Sequence, residues 1–515
     1  MKLLNKVYVI FLLLAFPFIL NAQNELNIHP DLIPHLDKKL APFYHGVASG
    51  DPTQNSVMIW TKLTLPKNTD QALVHWEIDT DSLFKKPTLY GGTSVSASND
   101  YSVKIDVQGL KENTKYYYRF EYEKKYSITG QTYTLPSNPD EFSIAFASCS
   151  NYEWGFFNNY RLIAEDSEVK LVVHLGDYIY EYAPNGYGDT TLGRINVPAK
   201  EITTLDDYRT RYSLYRLDKD LLKMHQMKPT ITTWDDHEIA NNGYVEGAQN
   251  HQPNTEGEWL KRKSYGKQAY YEWMPVRDNE YHELYRSFQL GSLMELIILD
   301  TRIAGRTKQV NVESDPEFMD SSRTILGKDQ YNWLMNKIEN KNTTWKIIGN
   351  QVPFGPLYQP DMQGKAEKYM DGWDGYPYER SKLIKRILDE KLKNIIWVTG
   401  DYHCSFAFEN DLKATAETED NASVEFVVTS ITSANDDEWL PRDTAVNGQK
   451  EYLKFNPHCK YVNNVDNGYL VIKIEKEKIT SSFYYSDTVK KPSTNKRKEK
   501  VFIVRKNQAI LEEVK

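Results

Sequence analysis

Five apolar runs in this 515-residue chain end on residues that can bind a cation. "FSIAFAS" is followed by Cys149, and "VKLVVHLG" by Asp177 with Tyr180 three positions on. "PTITTW" is followed by Asp235, Asp236 and His237, "TWKIIG" by Asn350, and "NIIWVTG" by Asp401 and His403. A single Asp behind a strand is most often a turn residue, because Asp tolerates turn backbone. Five polar strand ends, all of ligand types, are much harder to read as turns. Thiolate, phenolate, carboxylate and imidazole together suit a transition metal, and a phenolate favours a hard ion of high charge such as ferric iron. Asp236, Asn350 and Asp401 offer oxygen only, which suits calcium, magnesium or manganese. Asp177 is placed to bridge the two. Two adjacent cations can clamp a phosphoryl group and activate water for in-line attack.

The elements that must position these residues fall into two parts. From 40 to 136 the pattern alternates: Val103, Ile105 and Val107 share one strand face, and Tyr116, Tyr118, Phe120 and Tyr122 share another. Such strands, with turn residues between them, predict a small antiparallel sandwich. Leu110, Thr114 and Tyr116 stand where immunoglobulin-like and fibronectin type III domains set a tyrosine corner. Pro136 and "SNPDE" mark a boundary. From 140 to 515, apolar runs alternate with amphipathic stretches such as "WGFFNNYRLIAED", "TILGKDQYNWLMNKIEN" and "ERSKLIKRILDEKL", which predicts an α/β domain. Strands near the end with little helix between them make the sheet mixed. In open α/β sheets the ligand crevice lies beyond the carboxyl ends of the strands, so all five ends are expected to meet in one place.

Lys2 and Lys6, the apolar run Val7–Leu20 and a small residue at Ala22 read as an export signal over residues 1–22. The run has 14 residues, short of the roughly 20 a spanning helix needs, so cleavage rather than a stable membrane anchor is expected. The predicted location is periplasmic or extracellular. After cleavage, 61 basic against 71 acidic side chains leave a charge of −10, which argues against nucleic-acid binding. The one basic run, residues 489–500, is expected to be a solvated hairpin turn. Three cysteines are too few for a disulfide framework. Cys404 is expected to be buried or paired with Cys459.

The motifs "FYHGVASGDP", "FASCSNYEWGFF", "HLGDYIYEY", "TWDDHEIANN", "GNQV", "DGWDGYPYER", "VTGDYHCSFA" and "SITSAN" run in this order from 43 to 435. Together they resemble the alkaline phosphatase D (PhoD-like) family of metallophosphoesterases. The resemblance implies a four-layer αββα catalytic sandwich behind an immunoglobulin-like domain, with ferric iron and calcium as metals. In the superfamily's "GDxxY" arrangement the Asp bridges and the Tyr binds iron, which Asp177 and Tyr180 match. "DDHE" replaces the usual "GNHE", giving Asp236 the ligand position and His237 the phosphate-facing one. "GDYH" replaces "GHxH", so Asp401 stands for a histidine while His403 remains. Cys149 takes a place that most of the superfamily gives to a carboxylate. These exchanges move one site from imidazole toward oxygen, in keeping with calcium rather than zinc.

The expected activity is therefore exported, metal-dependent hydrolysis of phosphate esters. A metal-activated hydroxide would attack phosphorus, and His237 would stabilise charge or protonate the leaving oxygen. Two alternatives stay open: a phosphodiesterase acting on lipid or wall-polymer diesters, and a non-catalytic exported binding module. Arg209, Arg211 and Arg302 can meet phosphate or pair with neighbouring acids. Asn241 and Asn242 suit calcium or turn capping, and His45 is expected to be structural.

Overall fold

Two mixed β-sheets carry the architecture in the computed structural model, which describes residues 25–278, 283–361, 363–410 and 422–514. The expected export signal over 1–22 lies outside the described residues. The larger sheet runs Glu512–Glu513, Lys496–Arg505, Lys478–Ser486, Gly468–Glu475, Glu141–Ala147, Leu171–His174, Pro229–Thr232, Val47–Gly50, Ser56–Lys62, Ser102–Gln108. The second runs Arg286–Leu290, Met294–Ile298, Trp345–Asn350, Ile395–Thr399, Ser423–Val427, Ser405–Asn410, Cys459–Asn463. Four consecutive strands in the middle of each sheet pair in parallel, and the outer ones are antiparallel. Parallel strands covered on both faces must be apolar throughout. Leu171–His174 and Ile395–Thr399 are accordingly buried at every position.

Period-two alternation divides those buried side chains between separate cores. Phe146, Val173 and Ile231 of the first sheet meet Leu296, Ile347, Val398 and Phe426 of the second. Ala145, Ala147 and Val172 face the other way, against Tyr160, Ile163, Tyr212, Leu221 and Tyr270. Those partners come from the helices Asn158–Glu165, Leu205–Arg216, Lys219–Met227 and Trp259–Trp273. On the far side of the second sheet, Ile297, Ile348 and Trp397 pack on Leu334, Ile338, Leu383 and Ile387 from Gly327–Ile338 and Pro377–Asp389. Three of these six helices lie in the stretches where amphipathic periodicity predicts them.

The N-terminal strands form a two-sheet packing of their own. Val57, Ile59 and Val103 face Val74, Tyr116, Tyr118 and Phe120 of a five-stranded sheet that contains Gln71–Asp79 and Lys115–Tyr122. The Tyr116 hydroxyl accepts from the Lys111 N–H at 2.9 Å, five residues upstream. Pattern alone does not anticipate that Val47–Gly50 pairs in parallel with Pro229–Thr232, so one sheet runs from the N-terminal strands into the α/β part. The basic run covers the connection between the antiparallel strands Lys478–Ser486 and Lys496–Arg505, as expected, and also the start of the second strand. That connection is docked rather than free: the Asn158 side chain donates to Thr488 O at 2.7 Å and Lys491 O at 2.8 Å. All three cysteines are buried and free, so the Cys404–Cys459 pairing does not form. No helix among the described residues is long and apolar enough to cross a membrane.

Candidate metal centre

The loops that leave the parallel strands are tied to one another by backbone. Cys149 N donates to Gly176 O at 3.1 Å, Ser150 N to Asp177 O at 2.9 Å, and Thr233 N to His174 O at 3.0 Å. Gly176, at φ +110°, leaves no room for a side chain, since a Cβ there would lie 2.4 Å from Asp235 N. Glu238 binds this bundle from beneath: its carboxylate accepts from the N–H groups of Asp177, Tyr178 and Asp235 at 3.1, 2.6 and 2.9 Å. Burial nonetheless lifts its pKa to about 8. Cys149, Asp177, Asp401 and His403 all sit in the left-handed region, with φ between +56° and +65°. Non-glycine residues rarely adopt that conformation, and the strain is held by the surrounding bonds.

These turns bring most of the candidate residues together. Ligand atoms of Cys149, Asp177 and His403 lie within 4.8 Å of one another, as do those of Asp177, Asp236 and His237, and those of Asp235, Asp236 and Asp401. Asp177 belongs to the first two groups and Asp236 to the last two, so the three form a chain. The Tyr180 hydroxyl joins the first group, donating to Asp177 Oδ2 at 3.0 Å and lying 3.2 Å from His403 Nε2. Asn350 is at its strand end and buried, but its amide is engaged elsewhere. Its Nδ2 donates to Val352 O and Thr399 Oγ1, and its Oδ1 is 3.4 Å from Trp373 Nε1.

Burial decides the protonation of the first group. It pushes the Cys149 thiol and the Tyr180 phenol well up, with Asp177 adding to both shifts. It holds His403 down to about 4. In the bare chain these three are neutral, so only a strongly polarising cation would ionise the thiol and phenol at neutral pH. The second group is divided. Burial alone would raise the Asp236 carboxyl, but Arg302 and His237 hold it well below the carboxylate range. Burial and the nearby Asp371 carboxylate lift Asp401 to about 7. Asp235 Oδ2 and Asp236 Oδ1 are buried without a hydrogen-bond partner, a costly state that a cation relieves.

Several neighbours of the cluster lie outside the five strand ends, and Arg302, open between phosphate and acids in the sequence, takes the acids. Arg302 is fully buried among acids, binding Asp235, Asp371 at 2.8 Å and Asp401 at 3.0 Å. It follows the strand Met294–Ile298, a sixth strand end that "LDTR" marks in the sequence. Tyr369 donates to Asp401 Oδ2 at 2.6 Å, and Ser433 Oγ donates to the Tyr180 hydroxyl at 2.7 Å. His237 Nδ1 is 2.6 Å from Glu181 Oε2, whose other oxygen accepts from Asn241 N and Asn250 Nδ2 at 2.8 Å each. Burial would lower the imidazole pKa, yet Asp236, Glu181 and Asp177 raise it well above its ordinary value. Glu181 stands only four residues after Asp177, close enough in sequence to have been suspected.

The remaining candidates resolve into supports. Arg209 pairs with Glu272 at 2.6 Å, and Arg211 donates to the carbonyls of Tyr180 and Val197. His45 meets Ser213 Oγ at 2.7 Å and sets its ring edge against Trp273. Asn242 N caps Asp236 Oδ2 at 2.5 Å. Asp177, Asp236, His237, Asp401 and His403 open into one cavity of about 730 Å³. A larger hollow of about 920 Å³ lies between Ser102–Gln108 and Trp259–Trp273, but it contains none of these residues.

The PhoD-like phosphatase family matches residues 144–483, and the PhoD-like phosphatase N-terminal domain matches residues 31–136. Alkaline phosphatase D of Bacillus subtilis (strain 168) is 34% identical over 511 residues, spanning 95% of this chain and 84% of that protein. A solved structure of PhoD is 32% identical, superposes with a TM-score of 0.83, and the match covers 93% of each chain.

Proposed function

This chain belongs to the PhoD-like phosphatase family and is a phosphoric ester hydrolase, and from that premise we propose that its strand-end cluster works with bound cations. The supporting observation is the shared position of Asp177, which links Cys149 and His403 on one side to Asp236 and His237 on the other. Cys149, Asp177, Tyr180 and His403 would hold ferric iron; Asp236 and Asp401, with Asp235 as an added candidate, would hold calcium. Asn350 would join the second ion if its amide oxygen turned away from Trp373. When bound, the cations supply charge to draw in the phosphoryl oxygens and acidity to make water nucleophilic.

The chain's own residues do the rest. Glu181 holds His237 by its Nδ1, leaving Nε2 free to face the ester. A protonated His237 would bind a phosphoryl oxygen and then give its proton to the leaving alkoxide. Arg302 holds the Asp401 carboxylate from behind, so that its oxygens stay fixed when substrate binds. We read the helix–sheet–sheet–helix order as the four-layer metallophosphoesterase sandwich and the N-terminal strands as an immunoglobulin-like domain. The apolar run at 7–20 makes the enzyme an exported one. The test is metal analysis of purified protein together with turnover of a phosphate monoester and a bis-ester. Full activity in protein stripped of iron and calcium would overturn the metal assignment, and the ester ratio would decide between monoesterase and diesterase.

A further inference from the structure

The cavity over the metal centre carries charges and rings that the hydrolysis of phosphate does not use. Trp439 lines it and is 64% exposed, an unusual state for so large an apolar ring. The indole is nevertheless held in place. It stacks on Tyr187, with centroids 6.5 Å apart and planes 19° apart, and meets Trp154 edge-on at 5.7 Å. The Tyr187 hydroxyl in turn lies 3.2 Å from His403 Nδ1, so the ring platform is joined to the centre. Tyr182 and Tyr402 line the same space. Asp236 lines it too, with Oδ1 3.7 Å from Arg302 Nη2, and marks where the metal centre opens into the cavity.

The charges are one-sided. Asp361, Glu367 and Asp436 line the cavity in addition to the metal-centre carboxylates, and no lysine or arginine does among the described residues. Two acids on the same short turn as Asp436 do not line it, and each has a basic partner. Asp437 pairs with Arg442 at 2.5 Å and Glu438 with Lys490 at 2.6 Å. Among the described residues no such pair is made by Asp361, Glu367 or Asp436; the Asp436 carboxylate accepts from the Asn464 amide at 2.8 Å, and Asp361 Oδ1 accepts from the backbone N–H groups of Gln363 and Lys365. Bound cations would offset Asp177, Asp236 and Asp401, but not these three. An anionic leaving group would meet three uncompensated carboxylates. A cation would be attracted by them and by the face of an indole, the best of the aromatic partners for a positive charge.

We propose that the cavity selects phosphate esters whose alcohol carries an ammonium group, with Trp439 as the platform for that group and Glu367, Asp361 and Asp436 as its counter-charges. This rests on the phosphatase reading above. The bond broken is the one between phosphorus and the amino alcohol's oxygen; water supplies the new phosphate oxygen and the proton taken up by the alcohol.

The test compares phosphocholine with 3,3-dimethylbutyl phosphate, its uncharged isostere, on metal-loaded protein. The expected kcat/KM ratio is about tenfold in favour of the cation, the scale of a partly desolvated cation–π contact. The ratio should fall below about threefold in Trp439→Ala and roughly halve in Glu367→Gln, a change at an exposed position. Equal turnover of the two esters, or a ratio unaltered in both variants, overturns the proposal. If neither phosphate ester is hydrolysed, the phosphatase reading fails instead, and titration with choline chloride then decides the cation site. Quenching of tryptophan fluorescence in the wild type but not in Trp439→Ala supports it; no difference between the two sinks it.

Discussion

The two halves of the metal centre solve opposite electrostatic problems. Around Cys149, Tyr180 and His403, burial keeps the groups neutral and adds almost no fixed charge. Around Asp235, Asp236 and Asp401 the carboxylates are crowded, and the chain supplies its own cation in Arg302. One half is therefore silent until a metal ionises it, whereas the other already holds an ionised Asp236 beside Arg302, with burial keeping Asp235 and Asp401 nearer their neutral forms. The difference teaches that folding and metal loading are coupled differently on the two sides. A ligand set that must lose protons makes binding pH-dependent and selective for strong Lewis acids. A set held by a guanidinium has its geometry before any ion arrives.

Asp177 is common to both halves, and removing it tests whether they are one site. Asp177→Asn should lower kcat by about a thousandfold, the scale of losing a group that stabilises transition-state charge. Metal analysis should show both ions depleted; loss of only one would separate the halves. Arg302→Met isolates the pre-charged side. It leaves Asp235 and Asp401 buried without their cation, and Asp371 with Arg306 alone, which should cost about 3 kcal/mol in urea unfolding. Added calcium should recover part of that loss, and no recovery would argue against an ion on this side.

Tyr180→Phe isolates the silent side. A phenolate on ferric iron absorbs visible light, so the variant should lose colour while kcat falls about a hundredfold, at the upper end for a group supporting a metal site. Tyr178→Phe is the control, since the Tyr178 hydroxyl meets His225 Nε2 at 2.8 Å and no metal-ligand candidate. A colourless wild type with full iron would refute the phenolate. The smallest effect concerns buried histidines that should bind no cation. Burial holds His174 down to about 3 and His225 well below its ordinary value, so both stay neutral when folded. Below pH 6.5 the unfolded chain takes up protons that the folded chain refuses. Stability should then fall with pH by about 1.4 kcal/mol per unit for each histidine. His225→Gln should remove one histidine's share of that slope between pH 6.5 and 5, in metal-free and metal-loaded protein alike.

What the sequence revealed of this centre follows from how local each signal is. Cys149, Asp177, Asp236 and His403 each stand within a few residues of an apolar run, so strand pattern and residue type together suffice. Asp371 belongs to no such run; it opens the motif "DGWDGYPYER", but a loop brings it in, and its place in the centre shows only through Arg302, 69 residues away in the chain, and Arg306. Asn350 shows the opposite failure, being correctly placed at its strand end while its amide direction depends on Trp373, which no local pattern predicts. The helices "TILGKDQYNWLMNKIEN" and "ERSKLIKRILDEKL" were legible because one face is apolar. Trp259–Trp273 was not, since it is buried on several sides and has little periodicity to read.

The sheet shared between Val47–Gly50 and Pro229–Thr232 bears on how the protein is made. Ser49 waits for Pro229, about 180 residues later in synthesis, before its outer hydrogen bonds are filled. Until then the N-terminal strands present an open edge, a known route to misassembly. A chain that emerges amino end first would need that edge shielded, whether by a chaperone or by staying extended. The same seam means that the N-terminal strands are not a detachable module. A fragment starting near residue 140 would expose the Pro229–Thr232 edge and is expected to aggregate rather than persist as a smaller enzyme.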